Sequence, residues 1–201
     1  MKFQKAIATL LVLASASLLG AAGPGAASAA AREGKAPRIS LWLMGDVQLP
    51  ADSAYKDIFG SSIIAPRAQV SLHLSPAFHL FASYTFNKKD GTFTALNQTF
   101  STESKQSALM AGAGFTRALG EKVNWFVQAG AVFFSVKQTA MDMELSESMV
   151  GFMGETGLQL RMGKSLLSGF SVSYRQASKD VAGLTVKPGG LALSMGLGLQ
   201  F

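Results

Sequence analysis

The sequence predicts an all-β chain: an eight-stranded antiparallel up-and-down transmembrane β-barrel over residues 38–201. Three observations predict it. Large apolar residues alternate with small or polar ones in eight separate runs, the period of a strand with one apolar face. Connectors between the runs alternate short and long, as they do when tight turns collect at one end of a barrel and loops at the other. The face opposite the apolar one carries only six charged residues, Arg38, Asp46, Arg67, Glu155, Arg161 and Arg175. A water-facing surface needs roughly 25–35% charged residues, so this face is too quiet for an exterior. Its Gly, Ser and Gln suit a narrow, filled interior instead. The apolar face therefore looks out to lipid, where all backbone polar groups must be paired within the protein, as a closed barrel allows.

The first residues stand apart from this pattern. "MKFQK" is basic, "AIATLLVLASASLLG" is apolar, and "AASAA" offers the small residues of a cleavage site, so residues 1–30 read as a signal peptide ending at Ala29 or Ala30. Residues 31–37 read as a flexible lead-in. With no cysteine, the chain has neither a lipid-bearing cysteine nor disulfides. Lys2 and Lys5 would leave with the signal, so 16 of the 18 basic residues remain against 12 acidic ones. This surplus is spread out, without a Lys/Arg cluster interleaved with aromatics, so no nucleic-acid partner is expected. No later apolar run reaches the length of a membrane-spanning helix.

The eight runs follow in order. "ISLWLMGDVQL" aligns Ile39, Leu41, Leu43, Val47 and Leu49; "IAPRAQVSLHL" aligns Ile64, Ala68, Val70, Leu72 and Leu74. "FHLFASYTF" aligns Phe78, Leu80, Ala82, Tyr84 and Phe86, and the weaker "QSALMAGAGF" aligns Leu109, Ala111, Ala113 and Phe115. "VNWFVQAGAVFF" places Val123, Trp125, Val127, Ala129, Ala131 and Phe133 on one face, and "VGFMGETGLQLRM" places Val150, Phe152, Leu158, Leu160 and Met162. "LLSGFSVSY" contributes Leu166, Phe170, Val172 and Tyr174. "LALSMGLGLQF" closes with Leu191, Leu193, Met195, Leu197, Leu199 and Phe201.

"SPA", "TRALGEK" and "GKS" are the short connectors. The long ones are Pro50–Ile63, Asn87–Lys105, Phe134–Met149 and Gln176–Gly190. Parity survives the turns: Leu74 and Phe78 are symmetric about Pro76, and Met162 and Leu166 about Lys164, so apolar face meets apolar face across each hairpin. Phe78, Phe115, Trp125 and Phe201 gather at the turn end, and Tyr84, Phe86, Phe133 and Tyr174 toward the loops, which reads as two interfacial belts. "NKKDGTFTALNQTFSTESK", residues 87–105, and "TAMDMELSES", residues 139–148, read either as binding surfaces or as solvated hairpin extensions.

Inside, Trp42, Phe81, Met110, Phe126 and Phe134 point inward by parity, so a filled interior is expected rather than an open pore. Asp46 and Glu155 are expected to be shared among Arg67, Arg161 and Arg175, because an unpaired charge in that space costs several kcal/mol. His73 and His79 lie three residues either side of Pro76 and should face each other across the first turn, as a polar rim pair, as a pH sensor or as two ligands of a metal that has no evident third. No cofactor is expected.

"SMGLGLQF" resembles the C-terminal assembly signal of bacterial outer-membrane barrels, with Ser194, Gly196, Leu199 and Phe201 in the signal positions; Leu199 stands where an aromatic is common. Residues 38–201 together resemble the small eight-stranded barrels of the OmpA/OmpX type. The resemblance implies residence in the bacterial outer membrane among its lipids and handling by periplasmic chaperones and the barrel-assembly machinery. A monomer is expected, with its long loops meeting an unidentified extracellular ligand or surface. A periplasmic peptidoglycan-binding domain is not expected. Two rival roles remain: a lipid A-modifying enzyme, for which "HLS" has His-x-Ser spacing but Pro76 where Asn should follow, and a narrow ion channel. The reading taken is a structural or surface-interaction protein, not an enzyme.

Overall fold

The structure, a computed structural model, describes residues 38–95, 98–140, 143–181 and 184–201. The expected signal peptide and lead-in lie outside these residues. Ten strands and one helix follow in order: β1 (Arg38–Pro50), α1 (Ser53–Phe59), β2 (Ile63–His73), β3 (Phe78–Ala95), β4 (Gln98–Ala118), β5 (Val123–Ala140), β6 (Met143–Arg161), β7 (Leu166–Ala177), β8 (Lys179–Val181), β9 (Leu184–Val186) and β10 (Gly189–Gln200). Eight of them close an antiparallel barrel in the order β1-β10-β7-β6-β5-β4-β3-β2, and β8 and β9 form a separate hairpin. The eight alternating runs therefore fold as the eight barrel strands.

Register fixes the geometry. Starting at Ser40, the pairs run through Ser71, Phe81, Gly112, Gly130, Met153, Arg175 and Gly190 and return to β1 at Pro50, a stagger of ten residues. With standard strand spacings, eight strands and this stagger give a tilt of about 40° and a radius of roughly 8 Å to the strand axes. That leaves room for side chains and little else.

Apolar parity faces outward throughout. Leu43, Ile64, Val150, Met195 and Leu197 are 56–80% exposed, whereas Trp42, Met110 and Val132 on the opposite face are 6% exposed or less. An apolar wall of this kind requires lipid around it. Phe78, Phe115 and Phe201 are exposed at the turn end, and Tyr84, Phe86 and Phe133 toward the other. Two belt members also bond locally: Trp125 Nε1 donates to Thr156 Oγ1 at 2.9 Å and Tyr174 Oη to Gln176 at 2.7 Å. The tight turns are closed by Leu74 N to Phe78 O, Leu119 N to Val123 O and Met162 N to Leu166 O. Ser75 Oγ accepts from the amides of Ala77 and Phe78, which locks the first turn.

The other end departs from the expected loops. β3 and β4 stay paired from Phe78↔Phe115 out to Ala95↔Gln98, and β5 and β6 out to Ala140↔Met143. By contrast β2 meets β3 only from Arg67↔Thr85, and β6 meets β7 only from Gly151↔Ala177. A four-stranded wing, β3 to β6, thus rises beyond the rest of the barrel. Thr and Phe supply its β-propensity, but beyond the bilayer neither face needs to be apolar, so the period-2 signal fades while the ladder continues.

Each flank of the wing is covered. On the β3 side lies α1, started by Asp52, whose Oδ1 accepts from Ala54 N at 2.9 Å and Tyr55 N at 3.2 Å, and ended at Gly60 with φ 92°. A Cβ at Gly91 would come within 2.6 Å of Ile58 O and 2.8 Å of the Phe59 ring, so the missing side chain is what lets α1 lie against β3. On the β6 side stands the β8–β9 hairpin, where Lys179 Nζ reaches Glu147 at 2.5 Å and the Ser148 carbonyl at 3.4 Å.

Candidate functional site

The barrel interior is divided into a polar network and an apolar plug. Arg67 lies at the centre of the network, fully buried. Its Nη1 and Nη2 donate to Glu155 Oε2 at 2.8 Å and Oε1 at 2.7 Å, a bidentate pair, while its Nε lies 3.3 Å from Asp46 Oδ1. Asp46 Oδ2 accepts from Arg175 Nη2 at 2.5 Å. Ser171 Oγ at 2.5 Å and Gln128 Nε2 at 2.9 Å complete the donors to Glu155. Two carboxylates and two guanidiniums balance to zero, which makes such charges tolerable in a space this confined.

The third arginine, Arg161, stands apart. It is exposed at the last position of β6, six residues from Glu155, which is about 20 Å along a strand. It joins neither carboxylate. Arg38 is likewise exposed at the start of β1, so of the six charged residues expected inside, four are interior.

His73 and His79 are direct cross-strand partners with ring centroids 5.3 Å apart. Both rings are engaged: His73 Nε2 is 3.1 Å from Ser40 Oγ, and His79 lies 3.3 Å from both Gln128 Oε1 and Thr116 Oγ1. A Cβ at Gly114 would sit 2.4 Å from His79 Nε2, so glycine there makes the room for the ring. Gln128 links His79 to Glu155, so one hydrogen-bonded path runs from His79 to the central arginine. Among the described residues no group of three metal-ligating side chains forms. With both His79 nitrogens in hydrogen bonds, micromolar zinc is expected to leave the imidazole NMR resonances of His73 and His79 unmoved. A selective shift of both would assign a metal site instead.

Toward the loop end the interior turns apolar. Phe81, Met110, Val132, Phe134, Met149 and Met153 form one buried cluster that extends to Val136. Above Val136 a cavity of about 730 Å³ opens between the wing, α1 and the β8–β9 hairpin. Tyr55, Ile58, Phe59, Ile63, Phe93, Val136, Leu145 and Val186 give it a largely apolar lining, with Asp52, Glu144 and Lys187 also contributing to its wall. Burial pushes the Tyr55 phenol pKa up, and its hydroxyl lies 3.5 Å from Ser104 Oγ. This cup was not legible in the sequence. It is assembled from α1, from the wing and from the small hairpin, all of which lie in stretches without apolar alternation.

The four residues expected to form an assembly signal lie in and just after β10. Ser194 is buried and faces inward, Leu199 is exposed to the lipid side, and Gly196 allows β10 to approach Leu43 and Met44 of β1 closely. Phe201 N and O pair with Ile39 O and N at 2.9 and 3.3 Å, fastening the seam.

No family model matches the sequence, and neither does any curated protein. Solved structures do match. The outer membrane protein OprG from Pseudomonas aeruginosa is 13% identical with TM-score 0.59, over 83% of this chain and 97% of that one. Neisserial surface protein A is 11% identical with TM-score 0.55, over 82% and 95%. The attachment invasion locus protein Ail of Yersinia pestis is 16% identical with TM-score 0.51, over 82% and 97%. With a lipid-facing apolar wall, eight closed strands and these likenesses, the chain has the fold of the small bacterial outer-membrane β-barrels.

Proposed function

We propose that this outer-membrane-type barrel is a surface-interaction protein and not a catalyst: a sealed anchor that holds a cup on the external side of the membrane. One observation carries the reading. Val136, in the wall of the cup, belongs to the buried apolar cluster that fills the barrel beneath it, which supports a blind pocket over the mouth of a pore. A blind, mostly apolar pocket built on paired strands is suited to holding a ligand group. The reading without catalysis is supported by the position of the histidines. Both lie at the turn end, away from the cup, and Ser75 of the "HLS" stretch is committed to its turn. In this proposal the barrel is a monomer, assembled by periplasmic chaperones and the barrel-assembly machinery through Ser194, Gly196, Leu199 and Phe201.

The test is a capture experiment with the intact barrel in detergent, using extracts of surfaces the bacterium meets. A variant with the β3–β4 tip, residues 91–102, replaced by a two-residue turn serves for comparison. The expected result is a partner retained by the native barrel and lost by the shortened one. Planar-bilayer recordings should show no channel steps, and lipid A mass spectra should be unchanged on expression. A new lipid A species would establish the enzyme, and steady conductance the channel.

A further inference from the structure

The outer face of the wing is ordered in ranks that only the register reveals. Tyr84, Leu109, Phe133 and Val150 are successive cross-strand partners and form an apolar rank. Two residues further out come Phe86, Ser107, Ser135 and Ser148, then Lys88, Lys105, Lys137 and Ser146, then Asp90, Glu103, Thr139 and Glu144. Each step is about 7 Å along the strand. Leaving the bilayer, the wall therefore passes from hydrocarbon-compatible side chains to hydroxyls, to three adjacent lysines, to carboxylates.

Directly opposed like charges destabilise a sheet, yet Lys88, Lys105 and Lys137 stand side by side. Glu103 bonds Lys88 and also Lys105, the latter at 2.8 Å, and Glu144 bonds Lys137 at 2.8 Å. These pairs lie on the outward side of the lysines and are solvent-exposed, so they offset the repulsion weakly. The three lysine side chains remain 44–53% exposed. Directly membrane-ward of them, a depression of about 400 Å³ is cut into the wall between Tyr84, Ser107, Leu109, Phe133, Ser135 and Val150.

We propose that this face is a binding site for a phosphate-bearing lipid of the outer leaflet: phosphate on the lysine rank, headgroup oxygens on Ser107, Ser135 and Ser148, and the start of an acyl chain in the depression. The order of the ranks selects this occupant. Lysines sit at the depth where headgroup phosphates lie, immediately above the belt, and the carboxylates sit further out where they do not repel them. A soluble polyanion would use the lysines but have no use for the apolar depression or for its continuity with the lipid-facing wall.

Native mass spectrometry of the whole barrel, released from micelles of an uncharged detergent, tests the assignment with two probes: bis-phosphorylated lipid A and the same lipid enzymatically dephosphorylated. The native barrel should retain one phosphorylated lipid with at least about tenfold preference, since lysines near a membrane surface each contribute a severalfold gain toward anionic lipid. K88Q/K105Q/K137Q should lose that preference, and K88R/K105R/K137R should keep it. E103Q/E144Q should strengthen it, which separates the effect from loss of folding. A native barrel that does not discriminate between the probes, or a glutamine variant that still does, would overturn the proposal. So would equal retention of a soluble polyphosphate lacking acyl chains.

Discussion

Replacing Arg67 with methionine should lower the unfolding free energy by about 3–5 kcal/mol, the cost of stripping one partner from a buried, hydrogen-bonded ion pair. Arg67 is fully buried and contacts both interior carboxylates. Methionine keeps most of its volume, so the loss reports charge and not a cavity. Glu155 would then keep only Ser171 and Gln128 as donors, while Asp46 would retain Arg175. Glu155→Gln should also lower the melting temperature, because Arg67 would lose its bidentate acceptor, without opening a conducting path through the plug. The double variant should be less destabilised than the two single effects summed, by about 1 kcal/mol or more. Guanidinium and thermal unfolding in detergent micelles, following tryptophan fluorescence, measure all three. Strict additivity would show that the two side chains do not act as a pair, and a conductance in Glu155→Gln would show that the network, not the apolar cluster, seals the barrel.

Gly112→Val should be at least as damaging, although valine favours strands over glycine. Gly112 and Gly130 face each other across β4 and β5. A Cβ on Gly112 would stand 2.1 Å from Ala129 O and 2.6 Å from Gly130 Cα, and one on Gly130 would stand 2.1 Å from Ala111 O. The obstacles are backbone, so no rotamer change relieves them; the strands must part and give up ladder hydrogen bonds in a place where water cannot replace them. The expected outcome is a sharp fall in the fraction refolding into micelles, read as the heat-sensitive band on a gel. Gly120→Val, in a turn where a Cβ meets nothing within 4 Å, should refold normally. If Gly112→Val refolds as well as Gly120→Val, close strand approach at this pair is not a constraint.

The first prediction rests on side chains whose inward direction alternation supplies; the close approach behind the second is visible only in the structure. Met110 and Val132, or Leu43 and Ile64, could be assigned to a face from the sequence because the bilayer forces every outward position of a spanning strand to be apolar. That force stops at the membrane surface. Thr92, Phe93 and Thr94 continue β3 as surely as Leu80 does, yet nothing in their order decides between the open loop and the hairpin extension that the sequence allows there. The helix α1 left fainter marks, an aspartate cap at Asp52 and the Tyr55–Phe59 pair one turn apart with rings 4.6 Å from each other, in a segment of only seven residues. Arg161 was grouped with the interior charges on parity alone. Parity gives the face of a residue but not its depth, and at the end of its strand the inward face is already in water.

The seam between β1 and β10 has a kinetic consequence. Residues nearly at opposite ends of the described chain must find each other before the last ladder can form, from Ser40↔Gln200 to Pro50↔Gly190. Pairings of such sequence separation are slow to nucleate, because the whole intervening chain must be closed into a loop first. Until then both terminal strands expose unpaired amides and carbonyls, the template on which chains aggregate. A barrel of this design is therefore most vulnerable while it waits for its own ends to meet.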